Sequence, residues 1–403
     1  MSKFPGLILL ISVLPWATAQ ESGMDPALLS KIPIRMKEFV ENRTVAGAVT
    51  LVARNGRIEE FDAEGMADIE AGRAMKKDTI FQVMSMTKNF TGVGIMMLAE
   101  EGKLTLRDPV ERFLPEFKDQ RVATTTGPDS GRNAMPAIPI RIMDLMTHTS
   151  GMFDSAPHEI AGYSQKMNIP LADLMKVFAR QPLLFQPGTK WSYSSPGIDI
   201  LGRIIEVISG QKYEDFITER LLKPLEMKDS FFYPAADKID RIAMVYENHG
   251  GKLVRSPGTI LGGDPAAHRQ GAVFPAPSWG LYSTAEDLLH FYQMMLDNGK
   301  YKGRRLLSGY SVRLMTEVHT VGIHPAGWLG GGAYGLTFEI VDQHYGELAG
   351  HTLNTYGHGG AFGTQGWIDP TNRLIRILLI QRSNGGTDSL RDTFQTMAEA
   401  AVR

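Results

Sequence analysis

The chain predicts an α+β fold: an antiparallel sheet built from both chain ends and flanked by helices, plus a mainly helical lobe. Three observations lead there. Strand-like runs lie near both ends of the chain, and the stretch between them has mainly helical periodicity. Asn55-Gly56 joins two of the early runs as a two-residue hairpin turn. The chain has 403 residues, and a single hydrophobic core stops growing beyond roughly 250–300 residues, so two lobes are expected.

In chain order, Lys3 precedes an apolar run from Leu7 to Leu14, and Ala17-Thr18-Ala19 forms a small-x-small cleavage site. Residues 1–19 read as a secretory signal peptide, too short to span a bilayer at the ~20 residues that needs. The expected location is secreted or periplasmic, with no stable membrane insertion after cleavage. Asp25-Pro26 starts a helix, Asp as N-cap and Pro at the first position, running towards Asn42 with a bend at Pro33. Ala46 to Ala53 and Arg57 to Ala63 are the hairpin strands. Near the other end, Ala333 to Val341, Thr364 to Asp369 and Leu374 to Gln381 read as strands, and a helix follows from Asp388 to Val402. Helices are expected at Ile140 to Met146, Leu171 to Arg180, Gly197 to Ser209, Tyr213 to Leu222 and Ala285 to Asn298. Residues 20–114 and 275–403 form the sheet domain in this reading, and 115–274 the helical lobe. Ser256 to Pro277 is a long surface loop.

Composition excludes several functions. With no cysteine there is no disulfide, no thiolate metal site and no thiol nucleophile. Lys+Arg total 42 against 44 Asp+Glu, a balance that leaves no electrostatic footprint for nucleic acid or an anionic membrane. The ten histidines lack metal-ligand spacing, so neither metal nor cofactor is expected. Gly330 to Gly335 matches a dinucleotide-binding glycine pattern, but a strand follows it where a helix is needed, so it reads as a turn.

Ser85-Met86-Thr87-Lys88 is a Ser-x-x-Lys at the head of a helix whose centre, Val93 to Ala99, is apolar or Gly. The i, i+3 spacing puts both side chains on one helix face. The helix N-terminus offers unpaired N–H groups to a developing oxyanion. A lysine there is partly desolvated. Lowering its pKa from ~10.4 to near 7 takes about 4–5 kcal/mol and yields an amine able to deprotonate Ser85. From this segment alone, an N-cap serine followed by a solvated lysine is an equal reading. Ser209-Gly210-Gln211-Lys212 has the same spacing but ends a helix at glycine, which splays the pair.

Two further segments separate these readings. Trp191-Ser192-Tyr193-Ser194-Ser195-Pro196-Gly197 precedes an amphipathic helix, and His358-Gly359-Gly360-Ala361 lies between strands. With the Ser85 segment, in this order, they resemble the serine beta-lactamase/penicillin-binding-protein superfamily. The branch is that of class C beta-lactamase-related hydrolases, with family VIII carboxylesterases and D-stereospecific peptidases. Leu145 to Gly151, Pro187 to Thr189, Pro224 to Met227 and Gly280 to Leu288 add to the resemblance, which spans about residues 30 to 400. It implies a beta-lactamase/transpeptidase-like fold and an acyl-enzyme mechanism. Ser85 is then the nucleophile, Lys88 its partner, and Tyr193 shares proton transfer. The N–H groups of Ser85 and Ala361 form the oxyanion hole. Ser195, His358, Gly359 and Gly360 line the substrate, and His148 is a structural hydrogen-bonding residue. Phe153, Tyr163, Trp279 and Trp328 either line the cleft or pack.

This sequence departs from the family pattern twice. Ser195 stands where the Tyr-x-Asn motif has Asn. His358-Gly359 stands where Lys-Thr-Gly has Lys and Thr, so a permanent positive charge for a substrate carboxylate is missing. Both changes count against efficient beta-lactam hydrolysis and leave ester or amide acyl transfer untouched, so the expected substrate is a small-molecule ester, lactam or peptide, with an ester favoured. The rivals are a beta-lactamase, a D-stereospecific peptidase, and a non-catalytic binding protein that keeps the fold.

Overall fold

The computed structural model describes residues 23–123, 133–154, 169–257, 267–323, 327, 331–348 and 350–403. The signal segment 1–19, Tyr163, Trp328, Gly330 and part of the Ser256 to Pro277 loop lie outside the described residues.

An eight-stranded antiparallel sheet joins the two ends of the chain. Its strands are β1 (Gly47–Arg54), β2 (Arg57–Asp68), β3 (Arg73–Ala74), β4 (Gly332–Tyr334), β5 (Glu339–Val341), β6 (Tyr356–Gly359), β7 (Gln365–Asp369) and β8 (Leu374–Leu379). Their order is β4-β5-β6-β7-β8-β1-β2-β3. The pairing of β1 with β8, Leu51 opposite Ile377, ties the N-terminal hairpin to the C-terminal meander. Asn55 and Gly56 both have positive φ, 52° and 77°, as a twist-matched two-residue hairpin turn demands.

Both faces of the sheet are covered, which is why β1 and β8 read as nearly continuous apolar runs. Val49, Leu51 and Ala53 of β1 face one core with Ile375, Ile377 and Leu379 of β8. Ala48, Val52, Leu374 and Leu378 face the other. Helices α1 (Lys31–Glu41) and α6 (Asp388–Ala400) cover that second face. Behind the first face lie α2 (Thr87–Glu100), α3 (Leu171–Phe178), α4 (Ser195–Ser209) and α5 (Ala285–Leu296). Thr87 through Leu98 of α2 are all buried. Gly94 lets α4 approach closely, since a Cβ there would stand 3.0 Å from Ile205.

Several local expectations are corrected. The N-terminal helix breaks at Ser30, between Pro26–Leu29 and α1, and not at Pro33. Pro33 sits in the first turn of α1, where its missing N–H is not needed. The single strand expected over Ala333 to Val341 is two, β4 and β5, separated by a turn with Thr337 at φ 67°. His358 lies within a strand, β6, and not between strands. Strand β6 is interior to the sheet, but β5 pairs with it only at Tyr356 and Gly357. Its last residues, His358 and Gly359, pair on one side only, with Gly366 and Gln365, so an open edge remains beside them.

Candidate active site

Ser85 does not begin the helix itself. It occupies a 3-10 turn, Met84–Met86, that leads into α2. The turn is held from several sides. Phe81–Gln82 pairs with Tyr282–Ser283, and Thr87 Oγ1 donates to the Met84 carbonyl at 2.6 Å. Met84 is forced to φ 53°, strain that a buried methionine adopts only when its surroundings impose it. Strand β6 packs against this turn. The contact is close: a Cβ on Gly360 would lie 2.5 Å from the Val83 carbonyl oxygen. Ala361 follows directly, so the sheet edge and the Ser85 turn adjoin.

Lys88 Nζ donates to Ser85 Oγ at 3.0 Å and to the Ser278 carbonyl at 2.9 Å, and lies 3.4 Å from Ser195 Oγ. It also sits 4.7 Å from the centroid of the Tyr193 ring. Lys88 has 0% of its surface exposed. Burial pushes its pKa well below the ordinary lysine range, while Asp199 and Asp154 draw it back up. The Tyr193 hydroxyl hydrogen-bonds Ser85, and burial raises its pKa, so the phenol keeps its proton at neutral pH. The sequence places Tyr193 just before α4, whose N-cap is Ser194: its Oγ accepts from the Gly197 N–H at 3.1 Å and donates to the Phe153 carbonyl at 2.7 Å. That cap fixes where the chain enters the helix and hence where Tyr193 and Ser195 stand. The Ser195 N–H donates to Asp154 Oδ1 at 3.4 Å.

The structure therefore gathers Ser85, Tyr193 and Ser195 around the Lys88 amine, and brings Gly360 against the Ser85 turn. His358 reaches the group through its ring, 6.0 Å from that of Tyr193. Phe153 and Trp279 are buried and pack against Phe178 and Phe274 respectively.

Three contributors were not singled out from sequence: Tyr334, Ser278 and Asp199. Tyr334 completes a directional hydrogen-bond chain. The Ser194 N–H donates to His148 Nδ1 at 3.1 Å, which leaves the ring proton on Nε2. That nitrogen donates to Tyr334 Oη at 3.2 Å. Tyr334 Oη donates to His358 Nε2 at 2.9 Å. His358 Nδ1 then donates to the Gly359 carbonyl at 2.6 Å. Each partner assigns the next tautomer, and both histidines are neutral. Burial and the nearby Lys88 hold His358 down to about 3 and His148 well below the ordinary histidine range. His148 is held within this chain at both ring nitrogens. No cluster of His, Asp or Glu among the described residues could hold a metal ion.

A serine on a tight turn, a buried lysine, a tyrosine and a glycine-rich strand edge, set between a sheet and its helices, are the arrangement of a beta-lactamase-fold hydrolase. The beta-lactamase family profile matches residues 35–401, and the chain belongs to that family. Protein Rv1367c of Mycobacterium tuberculosis is 34% identical over 365 residues, 86% of this chain and 88% of that protein. Esterase EstB of Burkholderia gladioli is 27% identical over 399 residues, covering 91% and 95% of the two chains. The solved structure of EstCE1, a hydrolase with promiscuous acyltransferase activity, superimposes with a TM-score of 0.77. It shares 23% identity and covers 92% of this chain and 99% of its own.

Proposed function

We propose that this chain is an exported serine hydrolase that cleaves an uncharged small-molecule ester through an acyl-enzyme on Ser85. The observation that carries the reading is the 3.0 Å contact of Ser85 Oγ with an amine that burial drives towards its neutral form. Lys88 takes the Ser85 proton as Oγ attacks the carbonyl. The oxyanion is held between the N–H groups of Ser85 and Ala361. The proton then passes by way of the Tyr193 phenol to the departing alkoxide, and water releases the acyl group by the reverse path. The raised pKa of Tyr193 supports its role as proton carrier and Lys88 as the base.

The neutral state of His358 supports an ester without a carboxylate beside the scissile bond. Where the family lysine would offer a cation, this strand edge offers an imidazole held neutral from both sides. The likeness to Esterase EstB supports an ester as the substrate. Export is supported by the Lys3, Leu7 to Leu14 and Ala17-Thr18-Ala19 segments, and N-terminal sequencing of the mature protein tests it, with Gln20 as the expected first residue.

The test of activity is a panel of p-nitrophenyl acyl esters, nitrocefin and a D-Ala-D-Ala peptide, run on wild type and Ser85→Ala. Ester turnover in excess of the others, lost in Ser85→Ala with folding intact, is expected. Equal ester turnover by Ser85→Ala rejects the assignment.

A further inference from the structure

Ser278 is gripped at both ends of its own backbone. Its N–H donates to Asp199 Oδ1 at 3.0 Å, and its carbonyl accepts from Lys88 Nζ at 2.9 Å. Both partners are buried, Asp199 with 4% and Lys88 with 0% of their surface exposed. Asp199 stands one turn along α4 from Ser195, whose hydroxyl lies 3.4 Å from the same amine. The segment around Ser278 is itself fastened. Arg269 donates to the carbonyls of Phe274, Pro275 and Gly280 and lies 4.9 Å over the Trp279 ring. Thr91 Oγ1 donates to the Pro277 carbonyl at 2.7 Å. Ser278 is thus a fixed link between a carboxyl and an amine that the chemistry described above leaves unconnected.

We infer that Asp199 is a positioning residue for hydrolysis: through Ser278 it holds Lys88 against Ser85, and its charge stabilises the ammonium that Lys88 becomes. The inference rests on Ser85 and Lys88 acting as nucleophile and base. In that step the O–H bond of Ser85 breaks, an N–H bond forms on Lys88, and Oγ bonds to the carbonyl carbon. The carbonyl π pair moves to oxygen. One positive charge therefore appears at Nζ in a buried site, where a lone cation is costly.

The groups facing the pair make Asp199 the suitable counter-charge. Asp154 acts on Lys88 from the preceding loop in the same direction. Arg269 favours the carboxylate of Asp199. His148 and His358 are neutral, and Tyr193 and Tyr213 keep their protons. Burial raises Asp199 and lowers Lys88, and each charge opposes the other's shift. Asp199 enters the step as the carboxylate and Lys88 as the neutral amine, so the proton that leaves Ser85 turns the two into an ion pair bridged by Ser278.

The test is the pH dependence of covalent labelling of Ser85 by a fluorophosphonate probe, in wild type and Asp199→Asn. Asparagine keeps an oxygen for the Ser278 N–H and removes the charge. Without the opposite charge the amine deprotonates more readily but is a weaker base. The acid limb of the labelling rate is expected to move about one pH unit or more downward, and the plateau to fall about tenfold. An unchanged limb overturns the inference, whether or not the plateau falls, because a merely structural residue would lower the plateau with the limb in place. If Asp199→Asn does not fold, wild type with 13C-carboxyl aspartate and 15N-ε lysine decides. The Asp199 and Lys88 signals must titrate over the same pH range, and independent titrations overturn the inference. Wild type that fails to label at Ser85 rejects the hydrolase reading itself, and the inference with it.

Discussion

Tyr334→Phe isolates the hydrogen-bond chain from everything else in the site. The ring stays and no cavity opens, so the only loss is one buried oxygen. That oxygen accepts from His148 Nε2 at 3.2 Å and donates to His358 Nε2 at 2.9 Å. Tyr334 and His148 are fully buried and His358 nearly so, so water does not readily replace it. The substitution leaves one N–H donor and one nitrogen acceptor without partners. Each unsatisfied buried group costs about 1–3 kcal/mol. Some of that is recovered if His358 turns towards the open edge, so the expected destabilisation is about 2–4 kcal/mol. Urea denaturation followed by tryptophan fluorescence measures it as a shifted midpoint with the slope unchanged. In activity, kcat/KM for a neutral ester should fall, because His358 loses one of the two partners that fix its ring. A midpoint shift worth less than about 0.5 kcal/mol, below what either orphaned group costs, refutes the directional chain and the tautomers assigned from it.

Two further outcomes follow from close packing and from burial. On the sheet edge, Gly360→Ala would place a Cβ 2.1 Å from Thr364 Oγ1 and 2.5 Å from the Val83 carbonyl, whereas Gly359→Ala would meet nothing nearer than Arg391 Nη2 at 3.5 Å. Gly360→Ala should therefore displace the Ser85 turn and lower kcat/KM at least tenfold, as expected for misplaced reacting groups, with a lower Tm, while Gly359→Ala retains the wild-type Tm. In strand β2, Glu60 is buried beside Thr50, whose hydroxyl donates to it at 2.8 Å, and desolvation raises its carboxyl from 4.5 to about 7. A raised folded-state pKa means the native protein holds the extra proton between those values, so its contribution to stability is full below 4.5 and lost as pH rises through 7. Glu60→Gln should flatten that stretch of the stability–pH curve and stabilise the protein at pH 8 by up to about 3 kcal/mol; an unchanged curve from denaturation at pH 4 to 8 rejects the assignment.

What was legible in the chain is what depends on near neighbours. The Asn55-Gly56 hairpin, the glycine stop at Gly210 and the shared face of Ser85 and Lys88 are set within a few residues, so turn chemistry and helix spacing suffice to place them. The covered sheet was legible too, since β1 and β8 are apolar on both faces. Errors arose where local patterns compete with long-range pairing. A β-rich run from Ala333 to Val341 reads as one strand until the turn at Thr337 divides it. His358 reads as a loop residue until β7 pairs with it. Tyr334, Ser278 and Asp199 had no local signature at all, because each acts on a residue at least 24 positions away in sequence. The sequence by itself singled out Ser85 and Lys88 as the candidate nucleophile and base, from their types, their i, i+3 spacing and the Tyr193 and His358 segments that accompany them in order. Their protonation states were decided by the tertiary structure. A pKa is set by the water that is excluded and the charges that are brought near, and only the folded chain supplies either.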